Sequence, residues 1–273
     1  MVRRWCILLA MLAMTAGAAC TASSASAATA GTVQGAFNPG GPVHLVGAVK
    51  ASGGKRYQTV GTSTNWSGYV ATGAKTYTSF SASWTQPTGT CSSSNSRRSE
   101  QDAAFWVGLD GFTSKSVEQT GSEVACVGKT AQYDAWYEMY PGPSEVYTNT
   151  VQPGDQFNAS VTYEGSNKFS LYIADTTQGW SHTATATLAN AALSSAEVIV
   201  EAPTSSTSGA ILPLTDFGTV SITGSEANGA AVGNDSALTQ LTMTESGNSK
   251  VDRDSVSSLS GGENFTATWL RSS

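Results

Sequence analysis

Beyond residue 60 the apolar and polar residues alternate with a period of two. Phe80, Ala82 and Trp84 interleave with Ser79, Ser81 and Ser83, and Phe157, Ala159, Val161 and Tyr163 alternate with polar neighbours. Such spacing sends one face of an extended chain into a core and the other toward water, which specifies strands. Further strands are predicted from Phe169 to Ile173, His182 to Leu188, Glu197 to Glu201, Phe217 to Ile222, Leu238 to Met243 and Phe265 to Leu270. Gly, Ser, Thr and Asn fill the gaps, and no capped run with a 3.6-residue period interrupts them. The expected architecture is all-β, a two-layer antiparallel β-sandwich without a fixed internal repeat.

The first 30 residues follow another pattern. Arg3 and Arg4 precede an apolar run from Ile7 to Met14, and small residues follow, with Ala25-Ser26-Ala27 and Ala28-Thr29-Ala30 as cleavage candidates. This is the layout of a secretory signal, too short to be a comfortable membrane span. Cys20 as a lipid-bearing terminus is the weaker reading, because Gly17-Ala18-Ala19 lacks the leucine of a lipobox. Removing residues 1–30 discards Cys6 and Cys20 and leaves Cys91 and Cys126, an even pair in an oxidising destination. A disulfide between them is expected, and a structural metal site is not. The domain plan is a signal over 1–30, a Gly/Ala/Ser-rich leader over 31–60 and a sandwich over 61–273.

The chain of 273 residues carries 14 basic and 20 acidic side chains, for a net charge of −6. A phosphate-neutralising nucleic-acid partner is disfavoured on that balance. The first acid is Glu100, so all 20 acids lie in residues 100–273 against only six basic residues, a balance of −14. A basic leader thus precedes an acidic body, as in a prosegment that docks electrostatically until it is cut away. With His44 and His182 the only histidines, Ser-His-Asp and His-rich zinc chemistry are poorly supplied.

Three segments carry candidate chemistry. Along Gln132 to Tyr140 the strand period puts Asp134, Trp136, Glu138 and Tyr140 on one face, two acids around a tryptophan. This arrangement suits either a solvated face or a cleft for a polymer, peptide or sugar. Phe105-Trp106-Val107-Gly108-Leu109-Asp110-Gly111 runs into a glycine turn, followed by Gln119-Thr120-Gly121, where Gln119 shares a face with Val117. Glu197, Ile199 and Glu201 share a third face. Glu197 and Glu201 lie ~13 Å apart along a strand, wider than the ~5–9.5 Å of a glycosidase carboxyl pair. A sugar hydrolase would have to recruit another strand, Glu138 for example.

Together these segments resemble the glutamic peptidases, or eqolisins. The resemblance spans most of residues 63–225 and rests on Asn65-Trp66-Ser67-Gly68-Tyr69, Trp106 to Gly111, Gln119-Thr120-Gly121, Tyr133 to Pro141, Ala196 to Glu201 and Asp216-Phe217-Gly218. It implies a concanavalin A-like sandwich of the lectin and glucanase type in a secreted, bacterial-type member. It carries a catalytic pair over to Gln119 and Glu201, with cleft positions at Trp106, Asp110, Asp134, Trp136 and Glu138. Val198 departs from the family's usual aromatic at that place.

The implied chemistry uses no cofactor. Glu201 takes a proton from water, the Gln119 amide holds the oxygen that becomes negative, and Glu201 then protonates the leaving amine without a covalent intermediate. A glutamate base near its ordinary pKa of ~4.3 stays usable in mild acid, so an acidic optimum is expected. The expected partners are protein or peptide substrates, with neither nucleic acid nor membrane, and the expected molecule is a secreted, monomeric zymogen. The alternatives are a sandwich glycosidase and a non-catalytic carbohydrate-binding module.

Overall fold

A computed structural model describes residues 37–38, 41–51, 58–92, 100–245 and 248–273. The expected signal, Cys6 and Cys20 lie outside the described residues, as does part of the expected leader. The principal strands are β1 (Gln58–Ser63), β2 (Trp66–Ala71), β3 (Ser79–Thr85), β4 (Glu100–Asp110), β5 (Val117–Val127), β6 (Thr130–Tyr140) and β7 (Gln156–Gly165). They continue as β8 (Lys168–Asp175), β9 (Trp180–Thr187), β10 (Ala196–Glu201), β11 (Thr219–Ala227), β12 (Leu238–Glu245), β13 (Asp254–Val256) and β14 (Phe265–Trp269).

Two sheets result. One has the order β1-β12-β2-β10-β4-β5-β6, with the short pieces Lys50–Ala51 and Glu145–Val146 at its edges and Asn248–Asp252 beside β12. The other has the order β9-β8-β7-β3-β11-β14-β13. The sandwich is as expected except at one pairing: β12 runs parallel to β1, Leu238–Met243 against Gln58–Ser63. β12 thereby separates β1 from β2, neighbours in sequence. The expected leader boundary at residue 60 falls inside β1.

Alternation explains the second sheet. Phe80, Ala82 and Trp84 of β3 meet Phe157, Ala159 and Val161 of β7 and Phe169, Leu171 and Ile173 of β8 in the core. The strand expected from Phe217 begins instead at Thr219. Asp216 caps a turn there, its Oδ1 accepting from the Gly218 amide at 3.0 Å, with Gly218 in the left-handed region (φ 62°).

The first sheet is buried on both faces. Ala103, Phe105, Val107, Val124, Ala135, Val198 and Val200 enter the core between the sheets. The alternate residues Ala104, Trp106, Trp136 and Ile199 join Trp66, Val70, Val117 and Leu241 in a second apolar cluster on the outer face. Cys91 and Cys126 form the expected disulfide, with Cα atoms 5.5 Å apart.

Candidate active site

The outer face of the first sheet is an ordered grid. Strand register aligns Glu197 of β10, Gly108 of β4, Gln119 of β5 and Glu138 of β6 in one row. The next row is Ile199, Trp106, Gly121 and Trp136, and a third is Glu201, Ala104, Glu123 and Asp134. Gln119 and Glu201 therefore share a face, two strands and two rows apart. On a flat sheet this offset amounts to ~16 Å between Cα atoms. Trp66, opposite Glu201 on β2, reaches Gly111 in the loop beyond the far end of β4, where an added Cβ would sit 2.8 Å from the indole Cη2. The loop after β4 thus closes over this face and makes a bowl of it.

Trp106 fills the middle of that bowl. Its neighbours in the grid are glycines for a steric reason. A Cβ on Gly121 would lie 2.5 Å from the Trp106 Cβ, and one on Gly108 2.8 Å from its Cζ3. The indole lies over Gly108, packs edge to face with Trp66 at 4.9 Å and donates Nε1–H to Glu201 Oε2 at 2.9 Å. A hydrogen bond of this kind fixes the carboxyl orientation.

The amide of Gln119 is fixed from the other side, where Nε2 donates to Glu138 Oε2 at 2.7 Å. Burial, then the charge of Glu201, pushes the Glu138 carboxyl up to about 9, while the Gln119 bond opposes the shift. Burial pushes Asp134 up to about 6. Glu197 is fully buried and lies well above the usual carboxylate range, first through desolvation and then through the charges of Asp110 and Glu118.

Asp110 departs from the cleft picture. Its backbone is left-handed (φ 71°), and its carboxylate accepts from Leu193 N at 2.8 Å, Ser194 N at 2.9 Å and Ser194 Oγ at 3.0 Å. It holds the loop that leads into β10. Trp106, Asp134, Trp136, Glu138, Gln119 and Glu201 share the grid face. Sequence reading missed Trp66, Asp102 and Glu123, although the same period of two from Trp106 and Gln119 reaches the two acids.

The described part of the expected leader borders this face. Phe37 and Asn38 pair with Ser205 and Thr204, just beyond Glu201. Val43 packs against the outer apolar cluster, and its amide donates to Gly111 O at 3.1 Å. Asn65 clasps the same segment, accepting from His44 N at 2.7 Å and donating from Nδ2 to Pro42 O at 3.2 Å.

One face of a β-sandwich thus carries the buried Gln119 amide and the buried Glu201 carboxyl with Trp106 in the row between them, the setting the resemblance to glutamic peptidases leads one to expect. The Peptidase A4 family model matches residues 64–269, more than half of the chain, and the chain belongs to that family of hydrolases acting on peptide bonds. The match continues well past about residue 230, where the resemblance read from sequence fades, and takes in β11, β12 and β14. The chain is 31% identical over 229 residues to aspergillopepsin-2 of Aspergillus niger, covering 76% of this chain and 78% of that protein. It is 32% identical over 117 residues to scytalidopepsin B of Scytalidium lignicola, with 42% and 41% covered. Both are fungal and lend no support to the bacterial-type expectation. In fold it is similar to the crystal structure of scytalido-glutamic peptidase with a transition state analog inhibitor (TM-score 0.61, 23% identity, 76% of this chain and 98% of that one). The protein is thus a glutamic endopeptidase, and the glycosidase and lectin readings fall.

Proposed function

We propose that Glu201 and Gln119 form the catalytic pair and that the grid face binds an extended peptide. Glu201 accepts a proton from a water molecule as the water oxygen bonds to the scissile carbonyl carbon. The carbonyl oxygen becomes an oxyanion and is held by an N–H of Gln119. Glu201 then passes the proton to the departing nitrogen, the C–N bond breaks, and a carboxyl and an amine leave. The observation that carries this reading is the two fixed orientations: Trp106 Nε1 on Glu201 and Glu138 on the Gln119 amide. Trp106 and Trp136 supply apolar floor, Asp134 and Glu138 border it, and Asp110 positions the loop before β10. Catalysis then rests on pre-set donors and not on histidine, which is silent as a base in acid.

The test is casein cleavage across pH 2 to 8 in the presence of a chelator and a serine reagent. Cleavage in acid that is lost in both Glu201→Gln and Gln119→Ala is the expected result. Retained proteolysis in both variants, or a maximum at pH 7 or above, refutes the assignment.

The same proposal places the protein outside the cell as a monomer, supported by the N-terminal signal pattern and by a disulfide suited to an oxidising compartment. The leader acts as an inhibitory prosegment on this reading. Supporting it, residues 37–38 and 41–45 lie along the rim of the bowl, held by backbone hydrogen bonds and Val43. Among the described residues these contacts are not ion pairs, so inhibition by added leader peptide is expected to survive high salt. A form starting near residue 60 that equals the longer form in activity, with no inhibition by the peptide, removes the prosegment.

A further inference from the structure

Beside Glu201 the grid holds two acids that the proposed mechanism does not use. Ala104 lies at the centre of this corner, with Glu201 opposite it on β10, Glu123 opposite it on β5, and Asp102 two residues before it on β4. Asp134 faces Glu123 from β6. Asp102 and Glu123 are as deeply buried as Glu201, at 1% and 0% exposure. Apart from the Ala103 backbone amide beside Asp102, their four carboxyl oxygens meet no hydrogen-bond partner among the described residues. A buried carboxyl without partners forfeits its hydration for nothing in return, a cost natural cores do not tolerate idly.

The surroundings decide which protonation state these acids hold. Strands β4, β5, β6 and β10 contain no Lys, Arg or His, but they contain Glu100, Asp102, Asp110, Glu118, Glu123, Asp134, Glu138, Glu197 and Glu201. On the segment packed against the end of β4, Asp216 is the titratable group, and the nearby Arg253 spends its guanidinium on the carbonyls of Thr64, Leu212 and Ser272. Arg271 lies on the C-terminal segment that meets Gln101, but among the described residues no cation forms an ion pair or hydrogen bond with Asp102 or Glu123. Desolvation keeps both well above the usual carboxylate range; for Asp102 the Ala103 backbone amide opposes the shift and the charges of Glu201, Asp134 and Glu100 add to it, and for Glu123 those of Asp102 and Asp134 add to it. An ionised carboxylate only accepts hydrogen bonds, whereas a neutral acid also donates. An extended peptide in the bowl presents a carbonyl acceptor at every residue, and carboxylates offer those carbonyls nothing.

We propose that Asp102 and Glu123 work as neutral carboxylic acids that donate hydrogen bonds to main-chain carbonyls of the peptide substrate beside Glu201. This rests on the cleft reading above and deepens it. Substrate capture then fails as the pair ionises, through a route separate from the protonation state of the catalytic base.

The test measures binding without turnover. Glu201→Gln is titrated with a capped, uncharged pentapeptide of alanine and norleucine from pH 4 to pH 10, with folding checked by thermal melting. At least tenfold weaker binding at the alkaline end is expected. Adding Asp102→Asn and Glu123→Gln supplies donors that do not titrate, so binding is expected to persist there and the pH effect to shrink at least threefold. A flat profile in Glu201→Gln alone overturns the proposal, which keeps it falsifiable if the triple variant does not fold. An undiminished pH effect in a folded triple variant also overturns it, as does loss of its binding at pH 4, the outcome for a subsite that needs negative charge. Proteolysis surviving in Glu201→Gln overturns the catalytic pair instead and leaves the binding comparison standing.

Discussion

Raising the pH from 4.5 to 8 is expected to destabilise this fold, and Glu118 allows the effect to be isolated. Its side chain points away from the grid face, its backbone lies opposite Leu109 and Met139, and it is 0% exposed. Burial first, then the Asp110 charge, pushes its carboxyl from 4.5 up to about 8, against a smaller opposing pull from Ser116. Between those values the folded chain holds a proton that the unfolded chain has released. Stability is therefore complete below about 4.5 and declines as pH rises toward 8. The shift of ~3.5 pH units corresponds to ~5 kcal/mol at most, a third or more of an ordinary domain's stability. Glu118→Gln cannot ionise, so it is expected to leave stability at pH 4.5 nearly unchanged and to recover several kcal/mol at pH 8. Urea unfolding followed by tryptophan fluorescence at both pH values, disulfide intact, measures this. A wild type as stable at pH 8 as at pH 4.5, or a variant that loses as much as the wild type, refutes the reasoning.

Two further outcomes test the packing. Opening the Cys91–Cys126 bridge, which spans 35 residues, by a double Cys→Ser change is expected to lower unfolding free energy by about 4 kcal/mol in the chain-entropy model. A loss below about 1 kcal/mol in urea titrations would show the bridge to be incidental. Gly121→Ala places a Cβ 2.3 Å from Phe105 O and 2.5 Å from the Trp106 Cβ. It is expected to displace the indole from Glu201 and cut kcat at least tenfold while KM changes less, and unchanged kinetics would exclude the steric account.

Alternation made the strands legible because a half-buried strand writes its burial into a period of two. Val117 to Val127 resisted that reading, since Glu118, Gln119 and Glu123 are all buried and polarity there no longer marks the wet face. Gln119 and Glu201 were reached through motif resemblance, and the register that makes them co-facial depends on pairings between residues far apart in sequence. Asp110 lay in the right motif, but its positive φ turned the carboxylate toward residues 193–194, a backbone feature side-chain periodicity does not report. The parallel partner of β1 was equally hidden: Leu238 to Met243 reads as a strand without saying beside what.

That parallel strand sets an order of assembly. β12 lies between β1 and β2, so the half of the bowl that carries Trp66 is not closed until Leu238–Glu245 has been made. A polypeptide emerging amino end first exposes Gln119 and Glu201 long before that half of the face is closed. With the proposed catalytic pair, competence to cut other proteins arrives only once Leu238–Glu245 has been made, a safeguard in the topology that operates before any prosegment does.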